Sequence, residues 1–174
     1  KSVAVTGAAA AVSTKERKLS PAAGIATYNV TIIDYGVKKS LIKQLTSREC
    51  TVTLVPSGTA AADILADNPD GIVLSGGPGN PKDNPESIAV IKDLIGKKPL
   101  FGVGMGHQLL ALAMGGDTFK MKYGHRGANQ PATEFGTNRT YITAQNHGYA
   151  VDMSALPASA VPLFANTNDG TCEG

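Results

Sequence analysis

Residues 99–114 constrain the fold more than any other stretch: Pro99-Leu100-Phe101-Gly102-Val103-Gly104-Met105-Gly106-His107-Gln108-Leu109-Leu110-Ala111-Leu112-Ala113-Met114. A short apolar run enters three alternating glycines, and an apolar helix-like run leaves them without a gap. That order predicts a strand, a very tight turn and a buried helix. In hydrolases of the G-x-nucleophile-x-G kind, such a turn is forced toward positive φ and lifts a Ser or Cys above the sheet edge. Here the apex is Gly104, which has no side chain. Gly102 and Gly106 supply the small neighbours that so sharp a turn needs. Backbone N–H groups after the turn then meet at a helix N-terminus, which favours negative charge and can hold an oxyanion. The Met105 N–H is the natural donor, with Gly77 from a second Gly-rich loop as its partner. Close packing alone would also explain these glycines, and the residues by themselves leave the two readings level. A dinucleotide fingerprint does not fit. G-x-G-x-x-G needs a glycine where His107 stands and an acidic residue near Lys122 to Arg126.

The chain has 174 residues, 42% of them apolar, which suits one domain, or one domain with an appendage. A net charge of +2 is too small to argue for nucleic acid or an anionic membrane. No apolar run approaches the roughly 20 residues of a membrane span. Cys50 and Cys172 lie far apart in sequence and read as two reduced thiols, which points to a cytoplasmic setting.

Lys1 to Thr27 is rich in Ala, Ser and Lys without a sustained period, and reads as a linker or the tail of a preceding domain. From Tyr28 onward, strands and helices alternate. Strands are expected at Tyr28–Ile33, Thr51–Val55, Asp70–Leu74 and Pro99–Val103. Between them, Val37, Leu41, Ile42 and Leu45 mark an amphipathic helix, Ala60–Ala66 a short one, and Pro85–Ile95 one with Ile88, Ile91 and Ile95 on a face. The helix at Gln108–Met114 is apolar on every side and should be buried. The pattern predicts an α/β fold with a mostly parallel central sheet, helices on both faces and right-handed crossovers. Ligands in such sheets bind beyond the carboxyl ends of the strands, where two Gly-rich loops fall. After Gly115-Gly116 the character changes. Thr118–Tyr123, Thr140–Thr143 and Val161–Ala165 read as a small antiparallel extension, with Gln145–Tyr149 as a turn-prone insert.

Phe101 to Ala113 resembles the nucleophile elbow of class I, triad-type glutamine amidotransferases, and more narrowly the glutaminase domain of carbamoyl-phosphate synthetase. The likeness continues in Leu74-Ser75-Gly76-Gly77-Pro78-Gly79-Asn80-Pro81, in Lys120 to Pro131, in Ile142 to Val151, in Asn168-Asp169-Gly170-Thr171 and in Glu173-Gly174. Separate motifs in the same order span about Tyr28 to Gly174. Residues 28–174 are therefore expected to be an amidotransferase domain lacking its C-terminal part. His125-Arg126-Gly127 and Asn146-His147-Gly148 favour the carbamoyl phosphate branch over anthranilate or GMP.

The resemblance implies a chemistry. A Cys thiolate attacks the glutamine side-chain amide, a His moves protons, a Glu orients the His, and ammonia leaves from a γ-glutamyl thioester. It implies Gly77 and Met105 as the oxyanion hole, and Gly79, Gln108, Asn146, Gly148 and Tyr149 as glutamine contacts. The family's Cys falls on Gly104, and its His-x-Glu pair falls downstream of Gly174. The chain is thus expected to bind L-glutamine without cleaving it, unless it is a non-catalytic scaffold for an ammonia-dependent synthetase. The implied partner is a large synthetase subunit, or fused synthetase domains, that use ATP, Mg and bicarbonate. No cofactor or metal is expected in this domain, and neither nucleic acid nor membrane as a partner. The implied pathways are arginine or pyrimidine synthesis in the cytoplasm, with a mitochondrial setting for a urea-cycle form.

Overall fold

A computed structural model describes residues 6–174. The chain divides into two compact units, Lys1–Leu110 and Ala111–Gly174. In the first unit the elements run α1 (Ala8–Val12), β1 (Lys18–Ser20), β2 (Tyr28–Asp34), α2 (Lys39–Thr46), β3 (Cys50–Pro56), α3 (Ala61–Ala66), β4 (Gly71–Leu74), α4 (Pro85–Leu94) and β5 (Leu100–Gly102). Helix α5 (Met105–Ala113) follows the glycine turn. The sheet order is β1-β3-β2-β4-β5. Strands β3, β2, β4 and β5 are parallel, and β1 pairs antiparallel to β3.

The central strands are buried on consecutive residues: Thr31, Ile32, Ile33 and Asp34 in β2, and Ile72, Val73 and Leu74 in β4. Cover on both faces is what a parallel sheet in an α/β fold requires. On one face Ile32, Val52, Leu54 and Val73 form a core against which Val37, Leu41, Ile42 and Leu45 pack. Those four are the residues whose spacing predicted the amphipathic helix. In α4 the buried line is Ser87, Ile91 and Leu94. Ile88 and Ile95 lie half-buried beside it. Every predicted strand and helix of residues 28–110 is present, with ends moved by a few residues. Helix α5 buries Met105, Leu109, Ala111 and Ala113, as an all-round apolar helix should.

Part of the linker reading falls on residues 1–5, which lie outside the described residues. Residues 6–27 depart from it. Helix α1 buries Ala9, and β1 adds an edge strand in register with Val52 to Leu54. The Thr14 N–H donates to Asp34 Oδ2 at 2.8 Å, and the Ser57 N–H to Ser13 Oγ at 3.0 Å. A three-residue edge strand is too short to show a period, and its Lys18 is the type of residue that guards an exposed edge.

The second unit is a separate antiparallel sheet of β6 (Asp117–Glu134), β7 (Thr140–Asp152) and β8 (Phe164–Asn166), in the order β7-β6-β8. Three short strands were expected, and two long ones and a short one are found. The Gly and Asn residues of 124–130 looked like breaks but act as irregularities within one strand. Register shifts fall between Lys120 and His125 and between Gly127 and Gln130. Gly124 has φ 76°, which a glycine adopts freely. Gln145–Tyr149 is correspondingly not a turn. It lies inside β7, with His147 opposite His125 and Tyr149 opposite Lys120. A small core of Ala111, Val151 and Cys172, with Met153 and Leu156 against it, closes this unit. Among the described residues no helix is long and apolar enough to cross a membrane.

Candidate functional site

In the first unit the sheet reverses its winding at β2. The chain steps from β2 to β3 on one side, then returns to place β4 on the other. The crevice at the carboxyl ends of β2 and β4 is the ligand position in a doubly wound sheet. Its rim is tightly tied. Asp34 ends β2 and accepts from the N–H groups of Gly36 at 2.9 Å and Val37 at 2.8 Å through Oδ1. The Tyr35 N–H donates to the buried Ser75 Oγ at 2.8 Å. Gly77 comes so close to this loop that a Cβ on it would lie 2.1 Å from the Tyr35 carbonyl oxygen. Its lack of a side chain is a packing requirement of the crevice. Gly79, at φ 97°, turns the chain toward Asn80, whose side chain accepts from the Lys82 N–H at the start of a single 3-10 turn.

The glycine turn lies beside this loop. Gly104 has φ 53°, the left-handed conformation that a nucleophile elbow imposes on its apex. A Cβ on Gly104 would have Gly76 Cα, at 3.7 Å, as its nearest neighbour, and the position is exposed. A side chain there would stand clear of the protein. The flanking glycines differ. A Cβ on Gly102 would lie 2.6 Å from the His107 nitrogen, and one on Gly106 would lie 2.1 Å from the Leu74 carbonyl oxygen. The turn is locked to β4 by Val103 N–H to Leu74 O at 2.9 Å and by Gly106 N–H to Ser75 O at 3.0 Å. The Gln108 N–H donates to Gly104 O at 3.1 Å and so closes the first turn of α5. Among the described residues no acceptor takes the N–H of Met105 or of Gly77. Gln108 is buried one turn into α5.

Asn146, Gly148 and Tyr149 lie in the second unit on β7, with Asn146 exposed and the other two half-buried. Lys120 Nζ donates to Gly148 O at 3.2 Å and sits 5.0 Å from the centre of the Tyr149 ring.

The second unit also gathers groups that the sequence left scattered. His125, on β6 and only 8% exposed, meets Asp169 Oδ2 through Nε2 at 2.9 Å and Glu173 Oε1 through Nδ1 at 3.0 Å. His147, on β7, meets the Tyr149 carbonyl through Nδ1 at 2.9 Å. Its Nε2 lies 2.9 Å from Gln145 Oε1 and 3.5 Å from Glu173 Oε2. The hydrogen bond to Glu173 raises the His147 pKa against the opposing effect of burial. Burial pushes the Glu173 carboxyl up, but its bond to His147 and the charges of both histidines outweigh this and leave it lowered. Burial raises the Cys172 thiol, and both cysteines are free and buried. In the sequence, His125 and His147 stand only as members of the two motifs that favour the carbamoyl phosphate branch. They are 22 residues apart and Glu173 is 48 from His125; the register of β6 on β7 pairs the histidines, and the bridges of Cys172 to Val151 and Ala165 bring Glu173 beside them. The signal available in the sequence was two histidines on alternating stretches of one antiparallel pair.

The family model described as Glutamine amidotransferase class-I matches residues 31–174. A carbamoyl phosphate synthase small chain of Listeria monocytogenes is 53% identical over 146 residues, 83% of this chain and 40% of that protein. One of Bacillus cereus is 48% identical over 164 residues, 94% of this chain and 44% of that protein. The chain therefore spans less than half the length of these curated relatives. Among solved structures, a glutamine amidotransferase of Thermotoga maritima superposes with a TM-score of 0.64 at 15% identity, over 83% of this chain and 69% of that one. A glutamine amidotransferase of Methylobacillus flagellatus gives 0.61 at 18% identity, over 83% and 63%. At such identities the likeness is one of fold.

Proposed function

This chain belongs to the class-I glutamine amidotransferase family, and from that premise we propose that it is a glutamine-binding glutaminase domain. It is homologous to the carbamoyl phosphate synthase small chain. The wider role in the proposal is to serve a synthetase, as a large subunit or fused domains, that uses ammonia, bicarbonate and ATP with Mg to make carbamoyl phosphate. ATP and Mg belong to that partner, and glutamine is the ligand here.

One observation carries the reading. Gly104 holds the left-handed apex of a turn at the head of a nine-residue helix, with open space where a Cβ would project. In the family chemistry a thiolate at this apex attacks the carboxamide carbon of glutamine. The carbonyl oxygen takes up negative charge, and in this proposal the Met105 and Gly77 N–H groups receive it. The C–N bond then breaks, the nitrogen gains a proton and leaves as ammonia, and a thioester remains. With glycine at position 104 there is no atom to make the first bond. The chain as it stands binds glutamine and does not cleave it.

The test is Gly104→Cys treated with a chloromethyl ketone analogue of glutamine, followed by peptide mass mapping. A thiol at a helix N-terminus has a lowered pKa and is reactive. Labelling at position 104 that L-glutamine blocks is the expected result, with none in the unsubstituted chain. Absence of protected labelling would overturn the glutaminase reading and favour the non-catalytic scaffold.

A further inference from the structure

The histidine cluster of the second unit has no part in the elbow chemistry. We propose that His125, His147 and Glu173 form a binding site for a zinc-class divalent cation. The inference stands apart from the glutamine reading.

Three arguments carry it. The first is distance. A tetrahedral zinc with bonds of about 2.0–2.1 Å sets its ligand atoms about 3.3–3.4 Å apart. Here His125 Nδ1 and His147 Nε2 are separated by 3.3 Å, His125 Nδ1 and Glu173 Oε1 by 3.0 Å, and His147 Nε2 and Glu173 Oε2 by 3.5 Å. Each imidazole meets its own oxygen of the Glu173 carboxylate, and one ligand atom from each of the three residues lies within 4.8 Å of the other two, close enough to share one ion.

The second is tautomer. The Tyr149 carbonyl can only accept, so His147 carries its hydrogen on Nδ1. The Asp169 carboxylate likewise takes the hydrogen of His125 Nε2. Both outer nitrogens are donors, so loss of the inner protons to a cation leaves both inner nitrogens with lone pairs directed at the space beside the Glu173 carboxylate. A carboxylate or backbone carbonyl on the far nitrogen is the arrangement that orients metal-bound imidazoles.

The third is the convergence of ligating atoms inside. His125 Nδ1, His147 Nε2, both Glu173 oxygens and Gln145 Oε1 converge. The Asn166 amide nitrogen approaches them as a donor, but only at 3.3 Å from both His125 Nδ1 and Glu173 Oε1. The Gln145 amide nitrogen is turned to Thr143 Oγ1 at 3.0 Å, which fixes its oxygen on the cluster. A divalent cation takes the place of the inner protons and holds these atoms together. Two imidazoles and one carboxylate select zinc-class ions over Mg2+ or Ca2+. Gln145 and Glu173 also line a cavity of about 350 Å3, from which water could complete the fourth position.

The test uses the 174-residue chain, freed of metal by dialysis against a chelator. Zn2+ is titrated by calorimetry, and Co2+ by visible absorption. The expected results are one equivalent of Zn2+, tetrahedral d–d bands with Co2+, a higher melting temperature with Zn2+, and no competition from Mg2+. Glu173→Gln and His147→Gln should abolish the Co2+ bands. Asp169→Asn, which meets the cluster at the outer nitrogen of His125, should weaken Zn2+ binding about 10- to 100-fold. Circular dichroism checks that each variant is folded. If a variant fails to fold, the Co2+ spectrum of the unsubstituted chain decides alone. Lack of d–d bands in that chain, or Zn2+ binding indifferent to Glu173→Gln in a folded variant, would overturn the site.

Discussion

At the scale of single residues, the three glycines of the turn do different work. Gly104 is needed for its φ of 53°, while space around it is ample. Gly106 is needed for space, since a Cβ there would lie 2.1 Å from a backbone oxygen that β4 holds in place. A left-handed L-residue costs about 1 kcal/mol relative to glycine. Forcing a methyl into packed backbone costs about 3 kcal/mol or more. Gly104→Cys should therefore lower stability by about 1 kcal/mol, and Gly106→Ala by at least about 3 kcal/mol. Urea midpoints measure both. A Gly106→Ala chain as stable as Gly104→Cys would show that the turn is not clamped against β4. The sequence displayed all three glycines but not which need was which, because the distinction depends on what lies opposite each one.

At the scale of elements, helices and parallel strands were legible because their periods are local. The recurrence of Val37, Leu41 and Leu45 is the core face of α2, since 3.6 residues per turn aligns them whatever the rest of the chain does. In α4 the same logic places Ile91, fully buried, at the centre of the buried line. Ile91→Ala should cost about 2–5 kcal/mol. The exposed Asp93→Ala should stay within about 0.5 kcal/mol. Chemical denaturation separates the two, and equal effects would mean that α4 is not seated on its isoleucine face. The antiparallel strands were less legible. Gly124, Gly127 and Pro131 look like punctuation in a one-dimensional string. Within β6 they are accommodated by register shifts, because β7 alongside supplies the pairing that keeps the strand continuous. The histidine cluster was hidden for the same reason.

At the scale of the whole molecule, the crevice between β2 and β4 couples folding to alkaline pH. Tyr35 is fully buried there, and burial pushes its pKa up to about 12 from an ordinary 10.0, with only a partial offset from the Ser87 hydroxyl. Its own hydroxyl has no well-formed partner among the described residues. In the unfolded chain this phenol ionises near pH 10, and in the folded one near pH 12. Between those values the unfolded state binds fewer protons, so stability falls as pH rises. Two pKa units correspond to about 3 kcal/mol at most. Denaturation midpoints should hold up to about pH 9.5 and then decline toward pH 12. Tyr35→Phe should remove most of that decline. A decline of equal size in the Tyr35→Phe chain would place its origin elsewhere.

Taken alone, the sequence determined the alternation of strands and helices, the glycine elbow, the amidotransferase kinship and the place of Gly104 at its apex. Each of these is written in neighbouring residues or short motifs. The tertiary structure decided the sheet order with its reversal at β2, the edge strand in residues 18–20 and the long irregular pairing of β6 with β7. It also decided the meeting of His125, His147 and Glu173. These depend on strand register and on loop closure across tens of residues. Such contacts are chosen by the burial of many side chains at once, and no local pattern encodes them.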